Sequence, residues 1–188
     1  MRFSMAPLAP VLNAAFLERE TLMPKRYPMI EYMKRGPFDD IDTPEEALLP
    51  LIPYLPKQVW EPCPGRHVLA QHLAKHNICV IETFQDFLVA AWPNEACDAI
   101  VTNPPFSLKG KFIARCAAWN KPWALLLPVT TPGVRAAQIH LHDAEIIFLP
   151  KRIDFTGGKA PWFAVAWFTW GLKIGRQMTF AGPGDIGA

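Results

Sequence analysis

A strand-like run that leads directly into two prolines is the stretch of this sequence most suggestive of chemistry. Asp98 to Thr102 is rich in apolar and β-branched residues, and Asn103-Pro104-Pro105-Phe106 follows without a gap. Two consecutive prolines restrict the backbone, and open α/β sheets bind their ligands just beyond the carboxyl ends of strands. The sequence therefore predicts a rigid loop that holds polar atoms in fixed positions.

The polar atoms of this loop suit a planar amino group. The Asn103 side-chain oxygen and the Pro104 carbonyl oxygen can accept its two hydrogens, which leaves the nitrogen lone pair available to attack a methyl donor. Phe106 can stack on a base that is rotated out of a helix or taken from a single strand. The alternative is an ordinary proline turn, with Asn103 as a turn residue and Phe106 in the core.

The rest of the chain predicts an α/β fold whose sheet is mostly parallel. Apolar runs alternate with helix-like stretches, which is typical of parallel strands with helices on both faces. Six strands are predicted, at residues 58–61, 78–82, 98–102, 123–127, 144–149 and 163–170. The last is expected to pair antiparallel, because no obvious helix precedes it. Residues 67–76 and 109–120 fit crossover helices, and a further helix is expected at 44–54, with Thr43 as N-cap and Glu46 completing a capping box.

The length and composition predict one main domain. A chain of 188 residues with 51% apolar side chains can bury one sizeable core and is too short for two ordinary domains. Residues 41–172 are assigned to that domain. Residues 1–40 are interpreted as an extension packed on its core, and residues 173–188 as a C-terminal tail.

The proline loop and its flanks resemble motif IV of S-adenosylmethionine-dependent amino-methyltransferases, especially the N6-adenine-specific class and its small phage-encoded members. Further motifs of that family resemble residues 42–44, 59–65, 80–82 and 86–88, so the resemblance covers roughly residues 38–171. It implies a Rossmann-like class I methyltransferase fold with three α/β/α layers. It also implies methyl transfer to the exocyclic amine of adenine in nucleic acid. The catalytic residues would be Asn103, Pro104, Pro105 and Phe106.

The resemblance implies S-adenosylmethionine as the cofactor, together with the residues that hold it. Glu61, the backbone around Cys63 and Gly65 would contact its methionine end. Glu82 would accept both ribose hydroxyls, which a terminal carboxylate suits well. The amino group of the cofactor's adenine would donate to Asp86, and the adenine ring would lie against the Phe87 side chain. The full set is Thr43, Pro44, Glu61, Pro62, Cys63, Gly65, Glu82, Asp86, Phe87 and Asn103.

A basic and aromatic segment near residues 150–163 is similar to a later motif of the phage members. There an aromatic residue closes over the target base, which assigns Phe155 to substrate binding beside Phe106. Lys151, Arg152 and Lys159 would meet phosphates, which position a nucleic acid without specifying its sequence. The alternative is a basic surface loop.

The charge distribution is consistent with nucleic acid as a partner. Residues 1–102 carry 9 Lys and Arg against 13 Asp and Glu, whereas residues 103–188 carry 10 against 4. A basic half suggests a polyanion on one face, although ordinary solvated charges give the same counts. DNA is favoured over RNA, although charge does not separate the two. Because no recognition domain follows the core, either specificity is low, or it comes from residues 1–40, a protein partner or a homo-oligomer.

Motif I departs from the family pattern at one position. Family members usually carry a second glycine two residues after the first, whereas this chain has Gly65-Arg66-His67. A side chain at a glycine position crowds the cofactor or forces a different turn. This departure leaves open a degenerate methyltransferase-fold protein that binds nucleic acid or a partner without catalysis. The same chemistry on RNA is a separate alternative, because single-stranded adenines need no flipping.

Other features bear on metals, membranes and location. The apolar stretch 161–172 is shorter than the ~20 residues of a membrane helix, so no membrane partner is expected. The four cysteines have no metal-ligand spacing, which favours reduced thiols in a cytoplasm, that of the bacterial host if the protein is phage-encoded. His140 and His142, next to Asp143, are interpreted as a solvent-facing pair, and no metal is assigned.

Overall fold

A computed structural model of the chain describes residues 41–93, 97–141, 143–155, 164–175 and 178–180. The expected extension 1–40, most of the expected tail, His142 and Lys159 lie outside the described residues. Within them the chain forms an α/β fold built on a single mixed sheet.

The strands and crossover helices predicted from the sequence occur in the expected order, and the structure has further elements besides them. The strands are β1 (Gln58–Glu61), β2 (Cys79–Glu82), β3 (Ala99–Thr102), β4 (Trp123–Pro128), β5 (Glu145–Phe148), β6 (Val165–Trp170) and β7 (Met178–Phe180). The helices are α1 (Glu45–Leu48), α2 (Val68–Lys75), α3 (Lys109–Trp119) and α4 (Arg135–Leu141), with 3-10 turns at Ile52–Tyr54, Phe106–Leu108 and Thr131–Gly133. The six predicted strands and both predicted crossover helices are confirmed, with small differences at their ends.

The sheet is parallel except where β6 is inserted. Its order is β2-β1-β3-β4-β6-β5-β7, and β1 to β4 are parallel neighbours. β6 pairs antiparallel with both β4 and β5, which confirms the expected antiparallel strand. β7 pairs parallel with β5 at the sheet edge and lies within the segment assigned as a tail. This strand was not predicted, because three residues are too few to show a strand periodicity.

Apolar residues cover both faces of the sheet, with alternate residues of each strand on opposite faces. Val59, Ala99, Val101, Ala124 and Leu126 pack with buried residues of α1 and α2. Trp60, Ile100, Leu125 and Leu127 pack with buried residues of α3 and α4. Successive strand side chains point to opposite faces, so two cores result. The fold is therefore the expected three-layer, Rossmann-like α/β/α arrangement.

The first helix is much shorter than predicted. It begins at Glu45, and Pro44 is its N-cap with extended backbone and no side-chain cap bond, so the expected capping by Thr43 was wrong. Thr43 is instead almost completely buried. The helix ends at Leu48 and gives way to a 3-10 turn, because Pro50 and Pro53 cannot donate the backbone hydrogen bonds that a longer helix needs.

Candidate active site

Three parallel strands end in polar residues on the same side of the sheet. This side, formed by the carboxyl ends of the strands, is the edge meant below. Glu61 ends β1, Glu82 ends β2, and the two are paired in register. Thr102 ends β3, and Asn103 follows it. The carboxyl ends of parallel strands share an edge, so the expected cofactor side and the proline loop lie next to each other. This edge is the candidate active site.

Glu61 lies at the centre of this edge and is almost completely buried. Its Oε1 accepts a hydrogen bond from the Cys63 backbone N–H at 3.0 Å and one from the Thr102 hydroxyl at 2.5 Å. Burial raises the pKa of the Glu61 carboxyl to about 8, and the nearby Glu82 charge adds to this, while the two hydrogen bonds oppose it. Glu61 is therefore mostly protonated at neutral pH, with Oε1 acting as the acceptor.

The loop after β1 makes a tight turn through left-handed conformations. Gly65 has φ +52°, and His67 has φ +65° just before α2 begins. The His67 N–H donates to the Pro64 carbonyl at 2.6 Å, which closes the turn. His67 stands where a second glycine was expected, and its positive φ shows why: this backbone conformation favours glycine.

His67 contacts the carboxylate expected to bind the ribose. Its Nδ1 lies 3.0 Å from both Oε1 and Oε2 of Glu82, and its ring meets the Phe84 ring edge-on at 5.8 Å. The neighbouring Arg66 forms an ion pair with Asp42 at 2.7 Å. Neither contact could be predicted from a local pattern, because each joins residues that are far apart along the chain.

The proline loop follows β3 directly and lies partly in the interior of the protein. Pro104 and Pro105 are buried, and Asn103 is half-buried. The Asn103 Nδ2 donates to the Ile41 carbonyl at 3.3 Å, so the donor end of the amide is engaged and its oxygen points the other way. Phe106 is half-buried at the start of a 3-10 turn and packs against the core.

A lysine that the sequence reasoning missed supports this loop. The Nζ of Lys109 donates to the Phe106 carbonyl at 3.1 Å. Lys109 is the first residue of α3, where a cation is unfavourable for the helix dipole. The hydrogen bond offsets that cost and ties the loop to the helix. The position of this lysine, three residues after Phe106, is the feature of the sequence that could have predicted the contact.

The two residues expected to hold the adenine of a cofactor differ in accessibility. Asp86 is partly exposed, and its Oδ1 accepts a hydrogen bond from the Leu88 N–H at 2.9 Å. Phe87 is completely buried and stacks on Phe112 with ring centroids 4.5 Å apart. The expected contact between Phe87 and the adenine ring does not fit this arrangement, because the side chain has no exposed face. Phe87 is a core residue beneath the site.

The basic segment after β5 starts at the edge where the site lies. Phe148 at the end of β5 pairs with Ala166, and Pro128 at the end of β4 pairs with Val165, so the connection from β5 to β6 leaves and returns at this edge. Lys151 bonds Glu46 of α1 at 2.7 Å, Arg152 is exposed, and Phe155 is half-buried against the core. Lys151 is thus paired with a carboxylate in this structure.

The part of the chain that the structure describes bears on metal binding and on membrane insertion. There, no group of three or more His, Cys, Asp and Glu residues could hold a metal ion. Among the same residues, no helix is long and apolar enough to cross a membrane. His140 lies in α4 and is half-buried.

The comparisons with known proteins give weak structural likenesses. No protein-family model matches the chain, and no curated protein matches it. The crystal structure of 23S rRNA methyltransferase ErmE is 16% identical with a TM-score of 0.47, and the match covers 66% of this chain and 65% of that one, just under two thirds. A predicted O-methyltransferase, protein Atu636 from Agrobacterium tumefaciens, is 15% identical with a TM-score of 0.37, over 76% and 75% of the two chains. Neither likeness is close enough to carry an argument about activity, which must rest on the site.

Proposed function

We propose that the chain transfers a methyl group from S-adenosylmethionine to the exocyclic amine of adenine in a nucleic acid, with DNA favoured. The observation that carries this proposal is the orientation of Asn103. Its Nδ2 is held by the Ile41 carbonyl, so its oxygen is left to accept from a substrate, on a loop fixed by two buried prolines. An acceptor held in this way needs no reorganisation when the amine binds.

The residues at the sheet edge fit the proposed cofactor. Glu82 offers two carboxylate oxygens to a ribose diol, and Glu61 lies beside it with a backbone turn that would face the methionine end. Asp86 is accessible and would accept from the adenine amino group. Thr43, Pro44, Pro62, Cys63 and Gly65 are proposed to complete the cofactor site, as the resemblance implies. When bound, the cofactor supplies a methyl group activated by a sulfonium.

The chain's own residues would then act on the target amine by position and polarity. Asn103 and the Pro104 carbonyl accept its two hydrogens, which concentrates the lone pair on nitrogen. Phe106 stacks on one face of the base, and Phe155 is proposed for the other. Arg152 and Lys159 would meet phosphates, and Lys151 would do so by exchanging its bond to Glu46.

The test replaces Asn103 by Ala and measures labelled methyl transfer to DNA and RNA by purified protein. Loss of an acceptor that acts in the transition state should lower turnover by about a hundredfold or more, with a much smaller effect on cofactor affinity. Gln71→Ala removes an exposed amide from α2 and serves as the matched control. Full activity of the Asn103 variant would refute the proposal. Competing labelled DNA and RNA in one reaction tests the preference for DNA.

A second candidate function is supported by the contact between His67 and Glu82. A carboxylate already bound to an imidazole suits a protein that has kept the fold and binds nucleic acid or a partner without catalysis. This candidate fails if purified protein methylates nucleic acid and Asn103→Ala abolishes the transfer. This candidate is supported if neither S-adenosylmethionine nor its demethylated product binds to the purified protein.

A further inference from the structure

The contact between His67 and Glu82 occupies the acceptor that a cofactor ribose needs. Nδ1 of His67 lies 3.0 Å from each of the two Glu82 oxygens. A carboxylate has only acceptors, so the imidazole must donate from Nδ1. The two adjacent hydroxyls of a ribose are donors to the same pair of oxygens. The imidazole and the ribose therefore compete for one position.

The backbone holds His67 in this place at a cost. Its φ of +65° is a backbone conformation that residues other than glycine rarely adopt. Its N–H is bonded to Pro64, its carbonyl accepts from Gln71 in the first turn of α2, and its ring packs edge-on against Phe84. These contacts aim the imidazole at Glu82. A glycine would satisfy the same backbone and leave the carboxylate open.

We propose that His67 is an internal competitor for the ribose site, so that the cofactor binds only by displacing its imidazole from Glu82. The inference rests on the proposed use of S-adenosylmethionine and assigns His67 the control of cofactor affinity. The half-exposed imidazole has solvent to move into, since 45% of its side-chain surface is already accessible. Arg66 does not share this role, because it is paired with Asp42.

The experiment measures the affinity of the full chain for the demethylated cofactor, S-adenosylhomocysteine, by titration calorimetry. His67→Gly removes the competitor and suits the positive φ, so the variant should fold and bind about tenfold more tightly, which corresponds to about 1.4 kcal/mol. Arg66→Gln alters the same loop without touching the Glu82 contact and should stay near the native affinity. In the native protein, the nitrogen NMR signal of the His67 ring should shift when the ligand is added.

The ribose hydroxyls provide the specific readout. The gain from His67→Gly should disappear with an analogue that lacks both hydroxyls, because such a ligand does not compete for Glu82. A native-like or weaker affinity of His67→Gly, when the native protein binds, overturns the inference and leaves the proposed function standing. A gain that persists with the analogue overturns it as well. If none of the variants binds S-adenosylhomocysteine, the proposed function falls first and the inference with it.

Discussion

The buried carboxyl group of Glu61 predicts an unusual dependence of stability on pH. Its pKa is raised from 4.5 to about 8 by burial. Between these two values the folded chain keeps a proton that the unfolded chain has released, so the stability of the native protein falls as the pH rises through this window. Glu61→Gln keeps an acceptor oxygen for Cys63 and Thr102 but does not titrate, so the variant lacks this contribution.

The size of the effect follows from the shift. Each pKa unit corresponds to about 1.36 kcal/mol, so the stability of Glu61→Gln relative to the native protein should rise by about 4 kcal/mol between pH 4.5 and pH 8. Urea unfolding of both proteins across this range measures the difference, in which all other titrations cancel. Glu45→Gln is the control with the opposite sign: Lys75 lowers the pKa of the Glu45 carboxyl, so that variant should lose relative stability as the pH rises through the acid range. A flat difference for Glu61→Gln would show that the buried carboxyl is ionised in the folded chain and would refute the reasoning.

Two further predictions concern the loops that border the site. Lys109→Met removes the hydrogen bond to the Phe106 carbonyl and should lower kcat about tenfold in steady-state kinetics, with little change in KM. Lys111→Met, at an exposed position of the same helix, should leave kcat unchanged. Equal losses in the two variants would point to the general loss of a positive charge instead. Gly65→Ala should destabilise the chain by about 1 kcal/mol in urea unfolding because of its φ of +52°, whereas Gly133→Ala has open space and no positive φ and should be nearly neutral.

Most of the fold could be predicted because its determinants are local. Val59 and Trp60 face opposite cores, as do Val101 and Ile100, and strands buried on both faces appear in the sequence as continuous apolar runs. The prolines that shorten the first helix, Pro50 and Pro53, are also visible in the sequence. β7 was missed because it is short and depends on pairing with β5 at the edge.

The site was predicted less completely, because its missing parts are contacts between distant residues. Glu61 and Glu82 stand at the ends of β1 and β2, and Asn103 follows β3, so their common edge depends only on parallel strand ends. The engagement of Glu82 by His67, the bond of Asn103 to Ile41 and the complete burial of Phe87 depend on packing that no local pattern encodes. A positive φ at a histidine is likewise a property of the folded turn.

The connection between β5 and β6 has a consequence for how substrate preference can change. It leaves and rejoins the sheet at neighbouring strands, and register pairs fix both of its ends. The gap between those ends is one strand spacing, about 4.8 Å, which a loop of almost any length can bridge. Doubling the length of a flexible loop costs only about 0.6 kcal/mol. Under the proposed function, a different segment that keeps Ile153 in the core would therefore change the substrate preference while β5 and β6 stay paired.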